Sequence, residues 1–182
     1  MKKVLLSITL ILGLSCTTFA SNDPLTTVDY VELQKYLGKW YELERLPNSF
    51  EKGCGNVTAD YSLRKNGSIN VINTCFKKKK NDKIKKKVAK GIAFVENEQT
   101  NATLNVSFIP LFRYFGWFPG DYNIIALGED YEYALVGSQN RKFLWILSRT
   151  KTLPEETLTE LKNIATDNGF DVSKLIKTPS FF

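Results

Sequence analysis

Few side chains in this sequence could do chemistry, and a pair of carboxylates comes first. Glu42 and Glu44 lie two residues apart in a short strand-like segment, residues 40–46, and an extended backbone places such residues on one face. The chain has no histidine, which removes the commonest general base and the commonest metal ligand. It also lacks a G-x-S-x-G nucleophile motif. We therefore predict that the protein is not an enzyme and that it uses no metal and no cofactor.

The two carboxylates are better placed for binding than for catalysis. Nothing around them marks one as an acid and the other as a base, as paired catalytic carboxylates require. If Trp40 points into the core, Glu42 and Glu44 share its face and could meet a cationic or hydroxyl-bearing part of a ligand. The alternative is that strand twist turns both of them to the rim.

The N-terminus has the pattern of a secretory signal peptide. A basic start precedes an almost wholly apolar stretch, residues 4–14, which is too short to span a membrane. Small residues predict cleavage after Ala20, so that residues 1–20 are removed. The segment that ends at Cys16 also resembles a lipobox, which predicts instead that residues 1–15 are lost and Cys16 is lipidated. The sequence fits both outcomes.

Two cysteines remain after the signal region, Cys54 and Cys75. Disulfides persist in exported proteins because those compartments are oxidising. We therefore predict one bridge between the two cysteines. The alternative is a pair of free buried thiols.

Short strand patterns and turns fill most of the remaining chain. Residues 21–37 predict a polar arm and a short helical turn, and residues 38–182 the domain proper. Apolar and polar residues alternate most clearly in residues 56–63, and a hairpin turn at Asn66 and Gly67 follows. The spacing of the strands is typical of a barrel or a sandwich. The predicted strands are residues 40–46, 56–63, 68–76, 85–95, 103–108, 122–127, 131–137 and 142–148.

The period changes to that of a helix after the eighth strand. Pro154 lies in the first turn with Thr152 as the expected N-cap, an apolar stripe follows, and Gly169 ends the helix. The pattern therefore predicts an all-β domain with one C-terminal α-helix.

Three short motifs resemble the signatures of the lipocalin family: a glycine-x-tryptophan at the first strand, an aspartate-tyrosine pair at a later turn, and one arginine after the eighth strand. In this sequence they are Gly38, Trp40, Asp130, Tyr131 and Arg149. The second match is partial, because Glu129 stands where the family has threonine. The longer run from Gly38 through Cys54 is similar to the bacterial members.

The resemblance implies an eight-stranded antiparallel up-and-down barrel, with Arg149 stacked on Trp40 at its closed end. It also implies a fatty acid or a lysophospholipid as the ligand, stored or transported for membrane maintenance under stress. The expected location is the cell outer membrane, as a lipoprotein, or a soluble periplasmic or secreted form. The bacterial relatives further imply a homodimer.

Alternation along the strands gives candidates for the barrel interior. A mostly apolar cavity with a few polar groups suits a lipid. The predicted ligand-binding residues are Glu42, Glu44, Val57, Ala59, Tyr61, Leu63, Tyr122, Ile124, Ala126, Tyr133, Leu135, Phe143, Trp145 and Leu147, with the loop aromatics Phe112, Tyr114 and Trp117.

Two further features lie at the predicted mouth. Residues 109–120 carry five aromatic side chains. They predict either a lid that buries itself or an exposed patch for lipid, a membrane, a second subunit or a partner protein. Residues 77–90 carry nine lysines, which indicate either a solvated hairpin that protects a sheet edge or a surface attracted to anionic headgroups. No nucleic-acid-binding motif is present, so nucleic acid is not an expected partner.

Overall fold

The computed structural model describes residues 24–80, 82–108 and 120–182. The predicted signal peptide, Cys16 and the loop aromatics Phe112, Tyr114 and Trp117 lie outside these ranges.

One antiparallel sheet closes on itself to form a barrel. Each strand from β2 to β8 pairs with the next, β8 pairs with β1, and β1 pairs with β2. The predicted eight-stranded barrel is therefore confirmed, and the sandwich alternative is wrong. The strands are β1 (Gly38–Arg45), β2 (Cys54–Leu63), β3 (Ile69–Lys78), β4 (Ile84–Val95), β5 (Thr103–Ser107), β6 (Gly120–Leu127), β7 (Tyr133–Gly137), β8 (Leu144–Ser148) and β9 (Ile176–Lys177).

A short helix, α1 (Leu33–Tyr36), and the first strand build the closed end of the barrel. The Trp40 side chain is fully buried, and its Nε1 donates to the Tyr36 carbonyl at 2.9 Å. The Arg149 guanidinium lies 3.7 Å from the centre of the Trp40 ring, a favourable cation–π contact. Arg149 also donates to the carbonyls of Lys35, Tyr36, Lys39 and Tyr131. This is the contact that the sequence resemblance implies.

The C-terminal helix, α2 (Glu155–Asp167), packs on the outside of the barrel. Its buried residues Leu161 and Ala165 meet Leu135 and Ile146 in a second apolar core between helix and sheet. Pro154 holds the N-cap position, so the prediction of Thr152 there is wrong. No helix in the described ranges is long and apolar enough to cross a membrane.

Several side chains lie on the opposite side of the barrel wall from the one predicted. In β1 a bulge between Glu42 and Glu44 changes the alternation, so that Glu44 lies outside and accepts from Lys162 of α2 at 3.0 Å. In β6 a second irregularity lies between Ile124 and Ala126. Ala126 consequently packs in the outer core under α2, while Ile124 remains in the inner one.

Strand β7 has the opposite face assignment from the one predicted. Leu135 and Tyr133 pack beneath α2, whereas Ala134 and Val136 belong to the inner core. Both faces of this strand are apolar because the helix covers the outer one, so alternation carries no information here. Leu63 is also outside the interior and is 45% exposed. It lies beyond Tyr61, whose partner Gly38 is the first residue of β1.

The last residues of the chain, 176–182, form a C-terminal strap along the open half of the barrel. The registered pairs of β1 and β2 stop at Tyr41 and Thr58. Beyond that point β9 pairs with β1, the Asn56 amide donates to the Pro179 carbonyl at 2.8 Å, and the Phe181 amide donates to Asn56 Oδ1 at 2.6 Å. The strap therefore joins β1 to β2 where these strands no longer pair.

Gly55 allows the strap to approach the wall, and we expect Gly55→Ala to lower the free energy of unfolding by about 1–3 kcal/mol. A methyl group at this position would lie 2.5 Å from the Pro179 carbonyl oxygen and 2.7 Å from the Phe181 ring. Urea unfolding measures the loss. The matched control is Gly120→Ala, whose methyl group would only touch the Val106 carbonyl at 3.5 Å. Equal effects of the two changes would contradict the packing role of Gly55.

Candidate functional site

The barrel encloses a cavity of about 1110 Å³. That volume lies slightly above the range that small-molecule sites usually occupy, about 300–1,000 Å³. The cavity reaches from the closed end at Tyr36 to the open end at Lys142. Its walls are mainly apolar and include Val57, Ala59, Val71, Leu104, Val106, Val136 and Leu147.

Three tyrosines form a polar cluster at the closed end of the cavity. The Tyr36 and Tyr122 hydroxyls are 2.6 Å apart, and the Tyr61 and Tyr122 hydroxyls 3.2 Å apart. Burial raises the pKa of all three, that of Tyr61 to about 12, so they remain neutral. The three hydroxyl groups have three hydrogen atoms to donate, and the two hydrogen bonds between them use two. Among the described residues, one O–H is therefore left for a bound molecule.

A second polar group lies in the cavity wall around Glu42. Its Oε1 accepts from Arg45 Nη1 at 2.6 Å and from Thr178 Oγ1 of the strap at 2.5 Å. Glu51 also lines the cavity, accepts from Trp145 Nε1 at 3.2 Å and lies 3.5 Å from Arg45 Nε. Glu42 and Arg45 are 6% and 3% exposed, so this group is shielded from solvent.

The group around Glu42 contains two carboxyl groups, Glu42 and Glu51, and one guanidinium, Arg45. Burial, and after it the nearby Glu51 carboxylate, raise the pKa of Glu42 to about 8. At neutral pH Glu42 therefore keeps its proton, and Arg45 balances Glu51. A protonated carboxyl has one O–H to donate. This proton lies in the hydrogen bond between Glu42 and Glu51, so that Glu42, Glu51 and Arg45 together place no net charge beside an apolar ligand.

The stability of the barrel is expected to fall as the pH rises from about 4.5 to about 8. Between these values the folded chain retains the Glu42 proton, whose pKa is about 8 instead of the ordinary 4.5, and the unfolded chain has lost it. Each pH unit then lowers the free energy of unfolding by about 1.4 kcal/mol at most. Urea unfolding across this range measures the slope.

Glu42→Gln should remove most of that slope, because the amide cannot ionise. The matched control is Glu44→Gln, which changes the carboxylate bound to Lys162 on the outside of the barrel and should keep the slope. A Glu42→Gln protein with the same pH profile as the unmodified chain would show that another group is responsible.

The structure brings together about half of the predicted ligand-binding residues. Those that line the cavity are Glu42, Val57, Ala59, Tyr61, Tyr122, Phe143, Trp145 and Leu147. Those that do not are Glu44, Leu63, Ile124, Ala126, Tyr133 and Leu135. Sequence analysis missed Tyr36, Arg45, Glu51 and Thr178. Arg45 carried a local signal, an opposite charge three residues from Glu42. Tyr36 and Glu51 lie in the segments before and after β1, and Thr178 reaches the site from the distant strap.

The predicted disulfide is confirmed and lies at the open end. Cys54 and Cys75 are bonded, with their Cα atoms 5.4 Å apart, and both line the cavity. Cys54 is the first residue of β2 and pairs with Lys77, two positions from Cys75. Lys87 and Lys142 border the same end. Across the described ranges, no group of three histidine, cysteine or acidic side chains could hold a metal ion.

Comparisons with known proteins agree with this architecture. A family model described as a lipocalin-like domain matches residues 31–180. Outer membrane lipoprotein Blc of Escherichia coli (strain K12) is 41% identical over 165 residues, which are 91% of this chain and 88% of that protein. Apolipoprotein D of Mus musculus is 44% identical over 156 residues, 81% of this chain and 76% of that protein. The chain therefore belongs to the lipocalin family.

Solved structures with low sequence identity share the fold. Insecticyanin from the tobacco hornworm Manduca sexta superimposes with a TM-score of 0.60 at 18% identity, over 87% of this chain and 85% of that one. Apocrustacyanin C2 gives 0.59 at 17% identity, over 81% and 78%. These likenesses extend the agreement from the sequence to the barrel itself.

Proposed function

We propose that the protein is a lipid carrier of the bacterial envelope that binds one fatty acid or lysophospholipid in its barrel. The observation that carries this proposal is the large, mainly apolar cavity with polar groups at only a few places. Similarity to outer membrane lipoproteins supports an outer-membrane location, with Cys16 as the lipidated residue or with residues 1–20 removed. Membrane maintenance under stress is the role that we infer.

Burial of the acyl chain supplies the affinity. Each methylene group removed from water contributes about 0.8 kcal/mol, so ten of them contribute about 8 kcal/mol, enough for micromolar binding before the cost of ordering the chain. The apolar wall residues Val71, Leu104 and Val106 line the volume that the acyl chain would occupy.

The polar groups select the part of the ligand that is not hydrocarbon. Lys87 and Lys142 border the open end, where an anionic carboxylate or phosphate would remain close to solvent. The neutral group formed by Glu42, Glu51 and Arg45 lies at the wall, where its carboxyl oxygens can meet a hydroxyl group of the ligand. This arrangement favours single-chain lipids with an anionic head over neutral hydrocarbons.

Native mass spectrometry of protein purified from its own envelope tests the proposal. We expect one lipid per barrel, identified after release, and the same spectrum gives the acyl mass at Cys16 and the number of subunits, for which we propose two. An empty barrel that also refuses added fatty acid and lysophospholipid would overturn the carrier function. It would favour the alternative function, binding of a partner protein through residues 109–120. A lipid extract of the purified protein distinguishes the two functions, because only a carrier should yield lipid.

A further inference from the structure

The β3–β4 hairpin extends beyond the rest of the barrel as a two-stranded ribbon. Its strands pair from Ile69–Ala93 to Lys78–Ile84, whereas β5 pairs with β4 only over Ile92–Val95. Within the described residues, residues 84–91 therefore have a partner strand on one side only. Residues 84–90 are all exposed.

The two faces of this ribbon differ. Cys75 and Lys87, which are cross-strand partners, line the cavity and define the inward face. Because alternate residues point to opposite sides, the neighbouring pairs face outward. The outer ribbon face consists of Ile72, Thr74, Phe76, Lys78, Ile84, Lys86, Val88 and Lys90. Of these, Thr74 and Val88 also border the cavity.

Apolar and cationic side chains alternate across the outer ribbon face. Ile72 pairs with Lys90, Phe76 with Lys86, and Ile84 with Lys78. Each ammonium group therefore lies beside an apolar side chain. The only acidic residue between positions 72 and 90 is Asp82 at the turn, 2.9 Å from Lys78 Nζ.

The apolar members of this face are open to solvent. Ile72 is 37% exposed, Ile84 42% and Val88 48%. Phe182 of the strap is 68% exposed and meets the Phe76 ring edge-on at 5.0 Å, which extends the apolar surface. Protection of a sheet edge requires charge alone, so it accounts for the lysines but not for the exposed apolar side chains between them.

We propose that the outer ribbon face docks on the surface of an anionic lipid bilayer. Aliphatic side chains would enter the headgroup boundary, while the lysines beside them would contact lipid phosphates. Charge complementarity identifies this partner, because the face combines three lysines with one acid at its far end. A nucleic acid or another soluble polyanion would use the charges and leave the apolar side chains without a partner. The proposal is independent of which ligand fills the barrel.

Vesicle sedimentation tests this docking. The probe is phosphatidylcholine vesicles with about one-third phosphatidylglycerol, against phosphatidylcholine alone, and the full exported chain carries Cys16→Ser so that no acyl anchor contributes. We expect binding to the anionic vesicles only, weakened by salt. Exchange of Lys78, Lys86 and Lys90 for glutamate should lower the affinity by about a hundredfold.

The matched control changes the same number of lysines near the closed end of the barrel, with Lys39, Lys65 and Lys151 replaced by glutamate. It should lose only a few-fold in affinity, and near-ultraviolet circular dichroism establishes that each variant is folded. Equal losses in both triple variants would overturn the proposal, because net charge alone would then explain binding. Equal binding to both kinds of vesicle would overturn it as well.

A second variant separates a bilayer from a soluble polyanion. Ile72→Ser combined with Ile84→Ser changes two exposed residues that do not line the cavity and leaves every charge in place. It should weaken vesicle binding about tenfold, because two apolar contacts are lost. Unchanged binding would mean that the face attracts anions without entering a bilayer, and the proposal would fail.

Discussion

A tryptophan in place of Val71 is expected to lower the affinity for a long-chain fatty acid by about a hundredfold. Val71 lies on β3, is 3% exposed and lines the cavity. An indole at this position would fill part of the volume that the acyl chain requires. Exclusion of about four methylene groups removes about 3 kcal/mol of binding free energy, which is a little more than a hundredfold in the dissociation constant.

Titration calorimetry with fatty acids of increasing length measures this effect. Val71→Trp should bind short acids almost as well as the unmodified protein, and the deficit should grow with chain length until the blocked depth is reached. Val71→Ala, which enlarges the cavity, is the control and should retain binding. Long-chain affinity that is unchanged in Val71→Trp would show that the ligand does not pass residue 71.

Loss of the Trp40 side chain is expected to have the largest effect on stability. Trp40→Ala should lower the free energy of unfolding by about 3–5 kcal/mol. The indole is fully buried, donates to the Tyr36 carbonyl and carries the Arg149 guanidinium on its face. Its removal leaves a cavity and a cation without its ring, and the Tyr36 carbonyl keeps only the hydrogen bond from Arg149. Urea unfolding followed by circular dichroism gives the difference.

Arg149→Lys provides a graded comparison at the same place. Lysine keeps the positive charge but lacks the planar fork that reaches the carbonyls of Lys35, Lys39 and Tyr131. We expect a loss of about 1–2 kcal/mol, smaller than that of Trp40→Ala. A larger loss for Arg149→Lys would mean that the hydrogen bonds, and not the packed indole, hold the closed end together.

The fold was predictable wherever one face of an element is apolar and the other polar. Strand β2 alternates through Val57, Ala59 and Tyr61, and all three line the cavity. Gly67 has a φ of +82° in the turn that follows β2, the backbone that the Asn-Gly pair favours. Local chemistry and the final structure agree at these positions, so the sequence pattern was sufficient.

The predicted orientation of side chains was wrong where the alternation of apolar and polar residues does not distinguish the inside of the barrel from the outside. Leu135 is as apolar as an interior residue because it is covered by Leu161 of α2, and no alternation separates these two kinds of burial. The bulge that turns Glu44 away from the cavity depends on pairing with β8, about a hundred residues later in the chain. The pairing of β1 with β8 exists only in the closed barrel, so the sequence of β1 alone does not reveal it.

The polar group around Glu42 shows the same limit for the site. Glu42 comes from β1, Glu51 from the following loop, Trp145 from β8 and Thr178 from the strap. Each residue type is ordinary in its own segment. Their meeting, and the protonation of Glu42 that results, required the whole barrel.

The position of β1 in the sheet also determines when the protein can fold. β1 is the first strand of the chain, yet its neighbours include β8 and β9, the last two. Hairpins such as β2–β3, with their disulfide, can assemble as soon as they emerge from a translocation channel, because their partners are close in sequence. The wall cannot close until β8 has crossed, and the strap cannot join β1 to β2 until residues 176–182 have followed. We therefore expect barrel closure to follow export of β8, with the unpaired edge of β1 dependent on chaperones until then.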